Sequence, residues 1–137
     1  MSLRSLSTPA RIVLASLCLA TASLVLAQQG DAAKGKELYQ EACIFCHGKS
    51  GKGDGPVAPR LRVKPQDHTN DKTMSALTDQ HLFEAIQGGG TVFKKSPYMP
   101  PFGTMSNPTG RALSDQEIWD LVAYIRTLHR PPQSSNP

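Results

Sequence analysis

Three stretches of the chain carry apolar residues at the three-to-four-residue spacing of one helix face. The first starts near Asp31 and places Ala32, Gly35, Leu38, Tyr39, Ala42 and Cys46 on one side. Asp31 stands where a carboxylate caps a helix N-terminus and favours its dipole. A glycine within a helix costs about 1 kcal/mol against alanine, so Gly35 on the apolar face predicts that another backbone comes close there, a weak helix start being the alternative. The second helix is signalled by Leu77-Thr78-Asp79-Gln80-His81-Leu82. Thr78 is its expected N-cap, Leu77 and Leu82 its hydrophobic staple, and Leu82, Phe83 and Ile86 its inward face. Gly88 is expected to close it in the left-handed conformation, with Gly89 and Gly90 extending the break. The third begins with a capping box in Ser114-Asp115-Gln116-Glu117, stapled by Leu113 and Ile118. Ile118, Leu121, Val122, Ile125 and Leu128 then fall on one stripe, flanked by Trp119 and Tyr124. Arg126, His129 and Arg130 complement the C-terminal dipole, and Pro131-Pro132 stop the helix.

A stripe that long needs a partner, and the other long apolar face is that of the first helix. The two helices are therefore expected to cross near Gly35 and Tyr39, in an all-α fold of about three main helices joined by long loops. The loops are plain in the composition. Gly48 to Pro59 is dense in glycine and proline, 60–73 is basic and polar, and Ser96 to Gly103 holds three prolines.

The N-terminus has another pattern. Arg4 and Arg11, with no acidic residue, precede an apolar run from Ile12 to Ala27, which predicts a secretory signal peptide over 1–27, cleaved near Ala27. The run is short for a spanning helix and is diluted by Ser16, Thr21 and Ser23; a retained membrane anchor is the alternative. The rest of the chain is expected to form one domain over 28–130 and a disordered tail over 131–137. The leader holds two of the fifteen basic residues and none of the eleven acidic ones, leaving thirteen against eleven, a net +2. With no basic stripe interleaved with aromatics, nucleic acid is not an expected partner.

A domain this short makes only a thin core from its own side chains, which gives weight to Cys43-Ile44-Phe45-Cys46-His47. Two cysteines three apart with a histidine directly after them read as a site of covalent haem attachment. Each thiol adds across one vinyl group of the porphyrin, and the same turn presents the imidazole to the iron. A zinc half-site or a thioredoxin-like pair is the competing reading of the two cysteines. The third cysteine, Cys18, lies in the leader, and no βαβ setting is visible. Export fits too, because an oxidising compartment would otherwise close the pair into a disulfide.

The glycine-rich loop after His47 matches no nucleotide-binding spacing. Its expected task is to supply the carbonyl that takes the other ring N–H of His47 and so fixes the imidazole; the Pro59 carbonyl is the candidate, with Pro56 second. The opposite ligand is sought in Ser96-Pro97-Tyr98-Met99-Pro100-Pro101-Phe102-Gly103. There the prolines on both sides of Met99 remove local hydrogen bonds and hold the methionine on a loop. Its thioether is a soft, neutral ligand that raises the potential of a haem iron. Met105, Met74 and His68 compete with it. His81, at the third position of its helix beside polar residues, reads as solvated rather than ligating.

From Asp31 to Arg130 the chain resembles a class I c-type cytochrome with one haem. The matching pieces are Cys43 to His47, Gly-Asp-Gly-Pro at 53–56, Met99-Pro100-Pro101-Phe102-Gly103 and Leu121-Val122-Ala123-Tyr124-Ile125. The resemblance implies the small cytochrome c fold, thioether links from Cys43 and Cys46, and His47 and Met99 as axial ligands of the iron. It also implies a proline carbonyl bonded to the histidine and packed terminal helices. One departure is visible: the link from Gly103 to the last helix is longer than the family's short connection, and it contains Met105.

With both axial positions filled by protein, the expected activity is single-electron transfer by a periplasmic carrier, with redox proteins as partners and no small-molecule substrate. Contact with a membrane is expected to be transient or through a partner. Lys49, Lys52, Lys64, Lys94 and Lys95 fall in loops expected near the haem edge, where they would steer acidic partners; the competing reading is ordinary solvated lysines. Two other functions stay open: a haem subunit docked on a dehydrogenase or oxidase, and an enzyme or sensor with a displaceable sixth ligand.

Overall fold

The structure is a computed structural model that describes residues 30–129. The expected signal peptide and C-terminal tail lie outside the described residues. Within them the regular structure is helical: α1 (Ala32–Ala42), α2 (Ile44–His47), α3 (Asp71–Ser75), α4 (Asp79–Gly88) and α5 (Asp115–Leu128). Single 3-10 turns stand at Ala58–Arg60 and Gly90–Phe93. The long helices α1, α4 and α5 are the three that the periodicity predicts. No described helix is long and apolar enough to cross a membrane.

Each long helix starts at its expected cap. The Asp31 carboxylate accepts from the Ala33 and Lys34 amides at 2.9 and 3.3 Å, and the Thr78 hydroxyl accepts from the His81 amide at 3.1 Å. Ser114 and Glu117 close a reciprocal capping box. Helix α4 ends one residue later than expected: Gly88 stays helical, and Gly89 takes the positive φ, 77°.

Helices α1 and α5 cross at Gly35, as expected. A Cβ built on Gly35 would lie 1.9 Å from the Asp120 carbonyl oxygen, so only glycine admits α5 at this distance. The buried Asp120 carboxylate closes the same corner by accepting the Asp31 amide at 2.7 Å. Tyr39, Met74, Ile118 and Leu121 form the fully buried centre. Phe83 stacks on Trp119 with centroids 4.6 Å apart, bringing α4 onto the flank of α5.

Arg126 does more than favour a dipole. Its guanidinium donates to the Met74 and Leu77 carbonyls at 2.7 and 2.6 Å and pairs with Asp79 at 2.6 Å, which fastens the α3–α4 junction to α5. His129, also expected to serve the dipole, is buried, with Nδ1 3.6 Å from the Asp71 carboxylate.

Candidate functional site

The turn that ends α1 and forms α2 carries both cysteines and His47. The amides of Cys43 and His47 donate to the Tyr39 and Cys43 carbonyls, each at 2.9 Å, so the motif continues the helical winding of α1. Behind it the glycine loop folds back along the motif. Gly53, Gly55 and Val57 donate to the carbonyls of His47, Cys46 and Phe45 at 2.9, 3.1 and 3.1 Å. A Cβ on Gly55 would sit 2.3 Å from the Phe45 oxygen. The backbone of the motif is thus held from behind, and its side chains are left for the other side.

On that side lies a cavity of about 320 Å³. Cys43, Cys46 and His47 form one part of its wall; Leu61, Val63 and Pro65 come from the following loop; Leu82 and Ile86 come from α4. Met99 and Phe102 belong to the same wall. Size and mostly apolar lining are those of a site for a small-molecule group.

Both thiols are free. Burial, with a smaller contribution from Cys46, pushes Cys43 up to about 12, and burial also raises Cys46. A reactive redox pair needs a stabilised thiolate, so this environment disfavours the thioredoxin-like reading. No group of three or more His, Cys, Asp and Glu side chains among the described residues gathers as a metal cluster.

His47 Nδ1 donates to the Gln66 carbonyl at 3.0 Å, which leaves Nε2 with its lone pair free for a metal. Burial lowers the pKa of this ring, and the Gln66 bond acts weakly the other way. Neither expected proline is the partner. The Val57 amide draws the 56–60 turn onto the back of the motif, so Pro59 is exposed and absent from the cavity wall, and Pro56 lines a separate groove with Phe45 and Lys49. The chain then returns past His47 through Pro65 and Gln66. A backbone carbonyl has no side-chain signature, so no residue type marked Gln66 for this task.

The ring of His68 stacks on His47, with centroids 4.3 Å and planes 16° apart. The buried Tyr39 hydroxyl is hydrogen-bonded to His68 Nδ1 at 3.2 Å. Burial first, and His47 second, hold His68 down to about 3, so it is neutral.

The Met99 loop is bolted to the end of α4. Phe102 and Gly103 donate to the last carbonyls of that helix, Ile86 and Gln87, each at 2.9 Å, and the Gly90 amide donates to the Met99 carbonyl at 3.0 Å. A Cβ on Gly90 would meet the Ser96 oxygen at 2.1 Å. The glycines after α4 therefore admit a second backbone, beyond breaking the helix. Met99 is partly buried in the cavity wall; Met105 is 74 % exposed, and Met74 is sealed in the core. His81 is not simply solvated: its ring lines the cavity and stacks on Phe93 at 3.8 Å. Of the five lysines expected near the haem edge, Lys64 and Lys95 line the cavity.

An all-helical fold with crossed terminal helices, and a haem-attachment motif opening onto an apolar cavity, define a c-type cytochrome. Residues 32–129 match the cytochrome c family model, and the chain belongs to that family. It is 34% identical over 100 residues to cytochrome c-554(547) of Halothiobacillus neapolitanus, covering 72% of this chain and 98% of that one. It is 31% identical over 105 residues to the thiosulfate dehydrogenase of Stutzerimonas stutzeri, covering 74% of this chain but 28% of that longer protein. The solved structure of the c-type cytochrome KustC0563 superposes with a TM-score of 0.54 at 23% identity, covering 70% of this chain and 98% of that one. The protein is therefore a cytochrome c that carries electrons between redox partners, with haem c as its covalently bound group, and the cavity fits that group in lining, in free thiols and in imidazole orientation.

Proposed function

We propose that this protein is an exported, periplasmic electron carrier with a single haem c, joined by thioethers to Cys43 and Cys46 and ligated through its iron by His47 and Met99. The observation that carries the reading is the convergence of these four residues on one apolar cavity, while Met105 is exposed and Met74 is enclosed in the core. Haem c supplies a reversible one-electron iron couple. The chain does the rest. Gln66 holds Nδ1 of His47 and so keeps Nε2 available to the metal. The α4 carbonyls hold the Met99 loop in place. The apolar wall excludes water and, with the neutral thioether, favours the ferrous state and a raised potential. With protein atoms in both axial positions no site remains for a substrate, which makes the molecule a carrier and not an enzyme. Residues 1–27 act as the cleaved leader, 28–130 as the cytochrome domain and 131–137 as a tail. Lys64 and Lys95 at the cavity favour an acidic partner surface.

The test is the absorption spectrum of the protein matured in a host that attaches c-type haem, oxidised and reduced, for wild type and Met99→Ala. The expected wild type is low-spin with the far-red iron–sulfur charge-transfer band, and the variant loses that band. A band that survives the substitution moves the ligand to Met105; a high-spin wild type replaces the carrier with an enzyme or sensor.

A second reading, a haem-bearing part of a larger enzyme, is favoured by the thiosulfate dehydrogenase relative, in which the matched segment is only 28% of the protein. Gel filtration of native extract separates the two, because a docked subunit elutes with its enzyme.

A further inference from the structure

Two contacts act on the His47 ring, and both come from the three residues Gln66-Asp67-His68. The Gln66 carbonyl takes the Nδ1 proton at 3.0 Å. One hydrogen bond fixes where the ring points but still lets it rock about the N–H···O axis. The His68 ring closes off that motion, lying 4.3 Å away and 16° from parallel. His68 is itself immobilised. It is 7 % exposed, its amide donates to the Gly51 carbonyl at 2.7 Å, and its Nδ1 is hydrogen-bonded to the enclosed Tyr39 hydroxyl. Between the two contacts, Asp67 accepts from the Thr69 amide and hydroxyl at 2.8 and 2.7 Å, an Asx turn that fixes the chain over 67–69.

We infer that His68 is a positioning residue for the metal-binding imidazole: its ring, stacked on His47 and held by Tyr39, sets the plane in which His47 meets the iron. The inference rests on the reading of His47 as an axial ligand. The plane of an axial imidazole decides which iron d orbital carries the unpaired electron of a low-spin ferric haem. That orbital decides how spin density spreads over the four ring methyl groups. The stack therefore has a readout that a purely structural role for His68 would leave alone.

The experiment is proton NMR of the ferric holoprotein, following the four shifted haem-methyl resonances in wild type, His68→Leu, His68→Phe and Tyr39→Phe. His68→Leu, which removes the flat ring, is expected to change the order or spread of the four methyl shifts. His68→Phe, which keeps a flat ring but loses the bond to Tyr39, and Tyr39→Phe, which loses the same bond, are both expected to displace the pattern in the same direction as His68→Leu, by less. A wild-type pattern in His68→Leu, or a displacement in His68→Phe as large as in His68→Leu, overturns the inference. Should His68→Leu not accumulate as folded protein, the other two decide. A displacement of both in the same direction supports it, and any other combination overturns it. Failure of the underlying ligand reading shows separately, as a high-spin wild type before any variant is compared.

Discussion

Where α1 crosses α5, two regular helices meet backbone to backbone, and the contact is complete in itself: Gly35 against the Asp120 carbonyl, Tyr39, Ile118 and Leu121 enclosed, and Asp120 satisfied by the Asp31 amide. The cavity wall is made differently. Its functional residues sit on loops and on the four-residue α2, and single hydrogen bonds from distant backbone hold them: Gln66 to His47, Gly90 to Met99, Phe102 and Gly103 to the end of α4. The crossing is a frame that packs on its own side chains. The wall is shaped by that frame and by the group it encloses. Damage to the frame should therefore appear as lost stability, and damage to the wall as lost haem chemistry.

The largest effect expected is on the wall. Replacing Cys43 and Cys46 together by alanine should abolish covalent haem, read as loss of haem-dependent peroxidase staining on a denaturing gel. Staining that persists would place the attachment elsewhere. In the frame, Gly35→Ala sets a methyl group against the backbone of α5, which no rotamer change relieves, and should cost about 3 kcal/mol. Denaturant unfolding of the holoprotein checks this; a midpoint equal to wild type would remove the crossing from its proposed role.

Arg126→Met should cost about 2 kcal/mol, because it leaves the Leu77 carbonyl without a donor, takes one of two donors from the Met74 carbonyl and removes the pair with Asp79, while keeping the aliphatic packing. The same unfolding curve reads it, and the Met99 band should be untouched if frame and wall are separable. The smallest effect is at the start of α5. The Arg111 guanidinium, then the Ser114 amide, hold Glu117 down at about 2. A carboxylate whose pKa is lower folded than unfolded adds stability above its unfolded value, and that stability fades as pH falls from 4.5 towards 2. The pair is largely exposed, so solvent screens most of it. Glu117→Gln should flatten the acid loss of stability slightly; parallel loss in both proteins over that window would assign it to other groups.

Much of the frame was legible because it is encoded locally. A cap needs one side chain at one position, and a helix face needs only a period, so Asp31, Thr78, Ser114 and the α5 stripe could be read directly. Even the crossing at Gly35 followed from one residue too costly for a helix unless something lies against it. The wall was legible only where chemistry calls for a particular side chain, as with the two cysteines, His47 and Met99, all of which line the cavity. It was not legible where backbone does the work. Pro59 carried a plausible signal, yet the 56–60 turn is drawn onto the motif's back, and Gln66, whose side chain is irrelevant to the task, supplies the carbonyl.

The same division separates Gly88 from Gly89: either satisfies the local rule for ending α4, and the approach of the 99–101 backbone to Gly89 decides between them. Arg126, read as a charge favouring its own helix end, proves to reach carbonyls some fifty positions earlier in the chain. His68, weighed as a ligand, proves to lie against the one that the motif already named. By itself, then, the sequence determined the class of protein, the long helices and the haem-attachment motif, because each depends on residue type at short range. Only the tertiary structure decided which carbonyl holds His47, which ring lies on it and which glycine turns the chain, because those depend on where distant backbone arrives.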